Sequence, residues 1–254
     1  MDPVTLLVLA GAGLGGWAAR RSHLAHLRRL AAEGSGFDDA ADVALHVAIH
    51  EARARQHPWL APVHLLYGLL QDEDVTGAVR SSGGDPDALE DRVLAALDEP
   101  PPMTEAEATE RVIGYARGTA REAGGRPSCV NLWAGLGFSP QVGALCEAAG
   151  VDRLGALFRL FHGEVPAPVD DARGSLGIVL RNDDFTTKEF VAQLFEQVFG
   201  MPAADAIARM ELIHAQGKSV LGPLPAREAR AKVEDARQRA RAAGFPLWIG
   251  LEPA

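Results

Sequence analysis

Cysteine is almost absent: Cys129 and Cys146 are the only two in 254 residues. That is too few for a disulfide framework, and each lies in an apolar helical context, the setting of a reduced core thiol. Basic charge is also scarce. Lys and Arg total 25 against 34 Asp and Glu, for a formal net charge of -9, and no dense Lys/Arg cluster breaks the balance; this argues against a nucleic-acid partner. No Gly-x-Ser-x-Gly elbow and no paired Cys and His nucleophile arrangement is present. Gly217-Lys218-Ser219 ends like a phosphate loop, but Leu212 stands where the required glycine belongs and no glycine-rich stretch precedes it. His46 and His50 are four apart on one predicted helix with Glu51 beside them. Their order, H-x-x-x-H-E, is not that of a metalloprotease, and His57 and His64 join them only if the fold brings all four together. The expectation is a protein that is not an enzyme, with no catalytic residues, no metal and no cofactor.

What is there is enough for two domains: 254 residues with 47 % hydrophobic and 23 % charged side chains. Pro3 to Ala19 carries no charge and is followed at once by Arg20 and Arg21. Its length is at the lower limit for crossing a bilayer. The basic pair lies on the wrong side for a secretory signal, and the positive-inside tendency keeps the chain after it in the cytosol. The expectation is a cytoplasmic protein with residues 1–21 as a membrane anchor, held to the inner membrane by 3–19, and residues 22–36 as a basic helix and linker.

The most informative stretch runs from Leu176 to Lys218. An apolar, strand-like run, Leu176 to Leu180, leads into Asn182-Asp183-Asp184, a loop of short polar acceptors. Thr186 with Glu189 three residues on has the pattern of a capping box. The helix it opens carries Phe190, Val191, Leu194, Phe195, Val198 and Phe199 at helical spacing, and Gly200 and Pro202 stop it. A second helix is predicted from Ala203 to Gln216. On it Met210, Ile213 and His214 share a face, which sets an imidazole at the edge of an apolar patch. A free α-amine has a pKa of about 7.7 to 8.0, so at neutral pH it is mostly a cation in need of acceptors.

NDDFT and HAQGK, with the terminal FPLWIGLEPA, resemble the ClpS family, the adaptors that hand proteins bearing N-degrons to the Clp protease. The resemblance runs from Leu176 to Leu251. It implies a small α/β domain over 175–254, three antiparallel strands backed by three helices, that binds the first residue of a substrate. Residue by residue it implies Asn182, Asp183 and His214 at the amine, and Thr186, Lys188, Val191, Met210, Ile213 and Leu247 around the bulky first side chain. Lys188 departs from the family, which commonly has methionine or another uncharged residue there. An ammonium near a bound amine is repulsive, although the stem can still serve as a wall.

A second resemblance lies upstream. Ala52, His57, the block His64 to Leu70 and Gly84-Asp85 are similar to the first repeat of the N-terminal domain of Clp ATPases such as ClpA and ClpC. Val63 stands where that family usually has glutamate. After Glu99-Pro100-Pro101-Pro102, residues 108–163 look like a second repeat, at a period of roughly 65 residues, as expected when a unit is too small to close its own core. An all-helical double repeat is therefore expected over 37–165, followed by a linker over 166–174.

Together the resemblances imply an adaptor that recognises N-degrons and regulates their delivery to a Clp AAA+ unfoldase, ClpA- or ClpC-like. Docking on the unfoldase is implied for Arg227, where the family typically has glutamate, and for Lys232. The alternative is a regulatory decoy that binds the unfoldase or its clients without reading N-termini.

Overall fold

The computed structural model describes residues 36–166 and 174–254, which fall into two compact units divided between Ala156 and Leu157. The expected membrane anchor and basic helix lie outside the described residues, as do residues 167–173 of the expected linker. Among the described residues no helix is long and apolar enough to cross a membrane.

From residue 36 to Ala156 the structure is helical, and its order of elements repeats. The first run is α1 (Asp39–Ala54), α2 (Pro62–Leu69), α3 (Glu73–Ser81) and α4 (Pro86–Ala96). The second is α5 (Met103–Glu122), α6 (Cys129–Gly135), α7 (Pro140–Ala148) and α8 (Arg153–His162), with a short 3-10 turn, Leu136–Phe138, before α7. Local chemistry repeats with it. At the start of α2 the His64 imidazole accepts the Ala61 N–H, and at the start of α6 the Asn131 side-chain oxygen accepts the Ser128 N–H. Asp72 caps α3 through the Val75 N–H, and Ser139 caps α7 through that of Val142. Asp85 receives the Ala88 N–H at the start of α4, and Asp152 that of Gly155 at the start of α8. Each cap satisfies donors that a helix start leaves without partners.

Close packing repeats as well. A Cβ added at Gly68 would sit 2.1 Å from the Ala44 carbonyl oxygen, and one at Gly135 would sit 2.8 Å from that of Val112. Only glycine lets α2 lie so near α1, and α6 so near α5. Val63 is fully buried between these caps and this contact, so a glutamate at its position would lose its hydration.

Of the histidines weighed for a metal, His57 and His64 serve the fold. His64 Nδ1 accepts the Ala61 N–H at 3.0 Å, so its Nε2 carries the ring proton and donates it to His57 Nδ1 at 2.9 Å. Burial, then the neighbouring His57, lowers the His64 pKa to about 3. His46 is exposed, with its Nδ1 on the Asp42 carbonyl. Both cysteines are buried and unbridged, and burial pushes the thiols up to about 12 at Cys129 and about 11 at Cys146.

The second unit is built on a three-stranded antiparallel sheet in the order β2-β1-β3. Its strands are β1 (Ser175–Arg181), β2 (Lys218–Pro225) and β3 (Trp248–Pro253). The register pairs Leu180 with Ser219 and with Ile249. Helices α9 (Lys188–Gln197), α10 (Ala203–Gln216) and α11 (Ala226–Ala242) supply the other layer. Side chains alternate across a strand, so Leu176, Ile178 and Leu180 enter one core with Leu194, Phe195, Val233 and Ile249.

On the opposite sheet face the Trp248 ring lies over Gly250, where an added Cβ would be 2.5 Å from Cη2. The Arg181 guanidinium stacks on that ring at 4.0 Å and pairs with Glu164 at 2.8 Å. The expected helix start is corrected by one residue. Thr187 caps α9 by accepting the Phe190 N–H, while the Thr186 hydroxyl is drawn away to Asp183.

The two compact units divide ahead of the expected linker. Residues from Leu157 onward group with the second unit. The physical reason is that Phe161, His162 and Glu164 meet Phe185, the Pro246 carbonyl and Arg181.

Candidate functional site

The loop between β1 and α9 is fixed at both ends. At its start the Asn182 N–H donates to the Gly217 carbonyl at 2.7 Å, tying it to the left-handed residue that ends α10. Inside it, the buried Asp183 carboxylate accepts three bonds: the Phe185 N–H at 2.9 Å, the Thr186 N–H at 2.6 Å and the Thr186 hydroxyl at 2.7 Å. This is an Asx-type turn, in which an aspartate satisfies the backbone two and three residues ahead.

Beside the engaged Asp183, Asp184 is half-buried. Burial, then the adjacent Asp183 carboxylate, holds the Asp184 carboxyl above its ordinary range, and His214 acts in the opposite sense. Asp184 is therefore within electrostatic reach of His214, which is exposed near the end of α10. Sequence reasoning placed Asp184 in the loop without a role of its own. The signal lies in the order Asp-x-Phe-Thr, which lets the first acid of the pair close the turn and leaves the second for other work.

The apolar side is assembled from three elements: Val191 on α9, Met210 and Ile213 on α10, and Leu247 before β3 are all buried in one cluster. Thr186 is half-buried beside them in sequence. Lys188 is exposed at the first turn of α9, and its Nζ lies 3.5 Å from both carboxylate oxygens of Glu211, the neighbour of Met210 on α10. Glu211 is a residue the sequence reading missed, because the partner of a surface lysine on another helix depends on how two helices pack.

Of the two residues expected to dock on an unfoldase, Arg227 is exposed in the first turn of α11. Lys232 instead turns inward: its Nζ donates to the Val198 carbonyl at 2.8 Å and lies 3.9 Å from Glu228. There it caps the negative end of α9.

The family model described as the ATP-dependent Clp protease adaptor protein ClpS matches residues 175–250. That of the Clp repeat N-terminal domain matches residues 36–124. The ClpS adapter protein of Neisseria meningitidis serogroup B is 39 % identical over 76 residues, 30 % of this chain and 76 % of that protein. The one from Desulforapulum autotrophicum is 44 % identical over 75 residues, 30 % of this chain and 72 % of that protein. Among solved structures, Agrobacterium tumefaciens ClpS2 bound to L-phenylalaninamide matches at 32 % identity with a TM-score of 0.31, over 32 % of this chain and 100 % of that one. The chain belongs to the ClpS family of Clp protease adaptors. It carries a Clp repeat domain ahead of its adaptor unit.

Proposed function

We propose that the second unit binds the N-terminal residue of a substrate protein, through its free amine and a bulky apolar side chain, and that the chain regulates delivery of such substrates to a Clp AAA+ protease. The observation that carries this reading is the buried apolar cluster of Val191, Met210, Ile213 and Leu247, with the Asn182-Asp183-Asp184 loop tied to Gly217 at the end of the helix that carries His214. A carboxylate and an imidazole are acceptors for an ammonium, and the adjoining apolar edge favours a large first side chain. Asp183 keeps the loop in shape, Asn182 and Thr186 border it, and Lys188 with Glu211 forms a charged pair at its rim.

That pair also bears on the decoy alternative. Lys188 is the residue that motivates that alternative, and Glu211 pairs with it. For the unfoldase partner, Arg227 is the charge expected to govern docking, with Lys232 committed to α9. An Arg227→Glu chain is expected to bind an ordinary Clp N-domain more tightly in a titration.

Fluorescence anisotropy with peptides beginning in Phe, Trp, Tyr or Leu tests the function. Free peptides are expected to bind at micromolar affinity or better, about 8 kcal/mol. Acetylation removes the cation and leaves Asp184 desolvated without a partner, at a cost of about 1 to 3 kcal/mol or more. Equal affinity for free and acetylated peptides would sink the reading.

A further inference from the structure

The last turn of α8 is applied to both loops that form the candidate site. Phe161 meets the Phe185 ring edge to face, with centroids 5.5 Å apart and planes at 82°. Phe185 is buried between Asp184 and Thr186, and its own N–H is bonded to Asp183. The next residue, His162, reaches the other loop: its Nε2 lies 2.8 Å from the Pro246 carbonyl oxygen. A carbonyl only accepts, so that nitrogen carries the proton. Pro246 immediately precedes Leu247 of the apolar cluster.

The imidazole is held in place by Phe158, at 4.8 Å between centroids, and by Phe161, at 4.9 Å. The charged groups that act on it are Asp183 and Arg181. Beyond the helix, Glu164 continues the contact through Arg181. Two consecutive residues thus hold separate halves of the site, Phe161 the loop with the amine acceptors and His162 the loop with the apolar wall.

We propose that Phe161 and His162 are positioning residues for N-terminal recognition, so that the end of α8 is a working part of the adaptor site. The proposal rests on the function given above. It separates the two readouts of the site. Loosening Phe185 disturbs Asp184 and lowers discrimination between free and acetylated amines. Releasing Pro246 disturbs Leu247 and lowers discrimination between large and small first side chains.

The test uses the full chain with three peptides: free Phe-first, acetylated Phe-first and free Ala-first. Phe161→Leu is expected to cut the ratio of free to acetylated affinity about fivefold, the worth of one aromatic pair, and to leave the Phe-over-Ala ratio in place. His162→Leu is expected to do the reverse. His162→Gln keeps an N–H donor of similar reach and is expected to restore the ratio. If His162→Leu does not fold, His162→Asn, too short to reach Pro246, replaces it.

Wild-type ratios in Phe161→Leu and His162→Leu would overturn the positioning role, and so would parallel loss of both ratios without rescue by glutamine. A wild-type chain that does not distinguish free from acetylated peptide would overturn the underlying function as well. A wild-type chain that does so, with unaffected variants, would overturn this inference alone.

Discussion

Asp183 and Asp184 are adjacent and chemically identical, so exchanging them one at a time tests whether environment assigns their roles. In Asp184→Asn a negative charge that interacts with His214 disappears with little change in shape. A hydrogen bond to a charged group is worth about 1.5 to 3 kcal/mol, so peptide affinity is expected to fall about 10- to 100-fold, while the melting temperature holds or rises because a buried acid beside Asp183 is removed. In Asp183→Asn the amide oxygen still accepts the Phe185 and Thr186 N–H groups, and the Thr186 hydroxyl turns to accept from the amide nitrogen. Loop and affinity should both survive. In Asp183→Ala all three bonds are lost. Buried donors without partners cost about 1 to 3 kcal/mol each, a large share of a total stability of about 5 to 15 kcal/mol, so the melting temperature should drop along with binding.

The pH profile gives a second readout. The Asp184 carboxyl is raised in the free protein, whereas a bound ammonium favours its ionised form, so binding expels a proton on the acid side. Affinity should fall as the pH drops through that raised value, earlier than an ordinary carboxylate near 3.9 would cause. Asp184→Asn should lose that acid limb. Anisotropy across pH together with thermal denaturation followed by circular dichroism measures all of this. The role assignment is refuted if Asp183→Asn abolishes binding at an unchanged melting temperature, or if Asp184→Asn binds like wild type with its acid limb intact.

Lys188→Met is expected to strengthen peptide binding by less than about 1 kcal/mol, because the ion pair with Glu211 is exposed and already balances the lysine. Glu211→Gln should weaken binding by leaving that charge unbalanced, and a tenfold gain in Lys188→Met would contradict both statements. Because His64 is buried in its neutral form, its folded pKa lies below its unfolded value. Its contribution to stability is complete above 6.5 and is lost as the pH falls toward about 3; urea midpoints that stay level over that window would count against the His57–His64 bond as described. Gly68→Ala puts a methyl 2.1 Å from the Ala44 oxygen and should destabilise the chain by about 1 to 3 kcal/mol or more. Gly77→Ala, with nothing within 4 Å of the new carbon in mid-helix α3, should stabilise it by about 0.5 to 1 kcal/mol; comparing the two melting temperatures tests the packing account.

Much of this protein is encoded in short-range chemistry, and that part was legible in the chain. The span of α10 and the strand around Leu176 to Leu180 follow from residues within four positions of one another. So does the face that Met210 and Ile213 share. The two family resemblances come from the same local patterns. What the chain did not show is which of two neighbouring acids closes a turn. Phe185 and Thr186 donate to the first, and burial with His214 nearby marks the second.

The partners of Lys188 and Lys232 were also hidden. Each lies across the packing of one helix against another, and a long flexible ammonium takes whichever acceptor the tertiary fold brings within reach. That residues from Leu157 onward group with the adaptor unit was hidden for the same reason. Helical periodicity runs through α8 without interruption, whereas Phe161 and His162 find their partners more than twenty and eighty residues downstream. A periodic signal records only which face of a helix is apolar, and the choice of surface that covers that face is made when the whole chain folds.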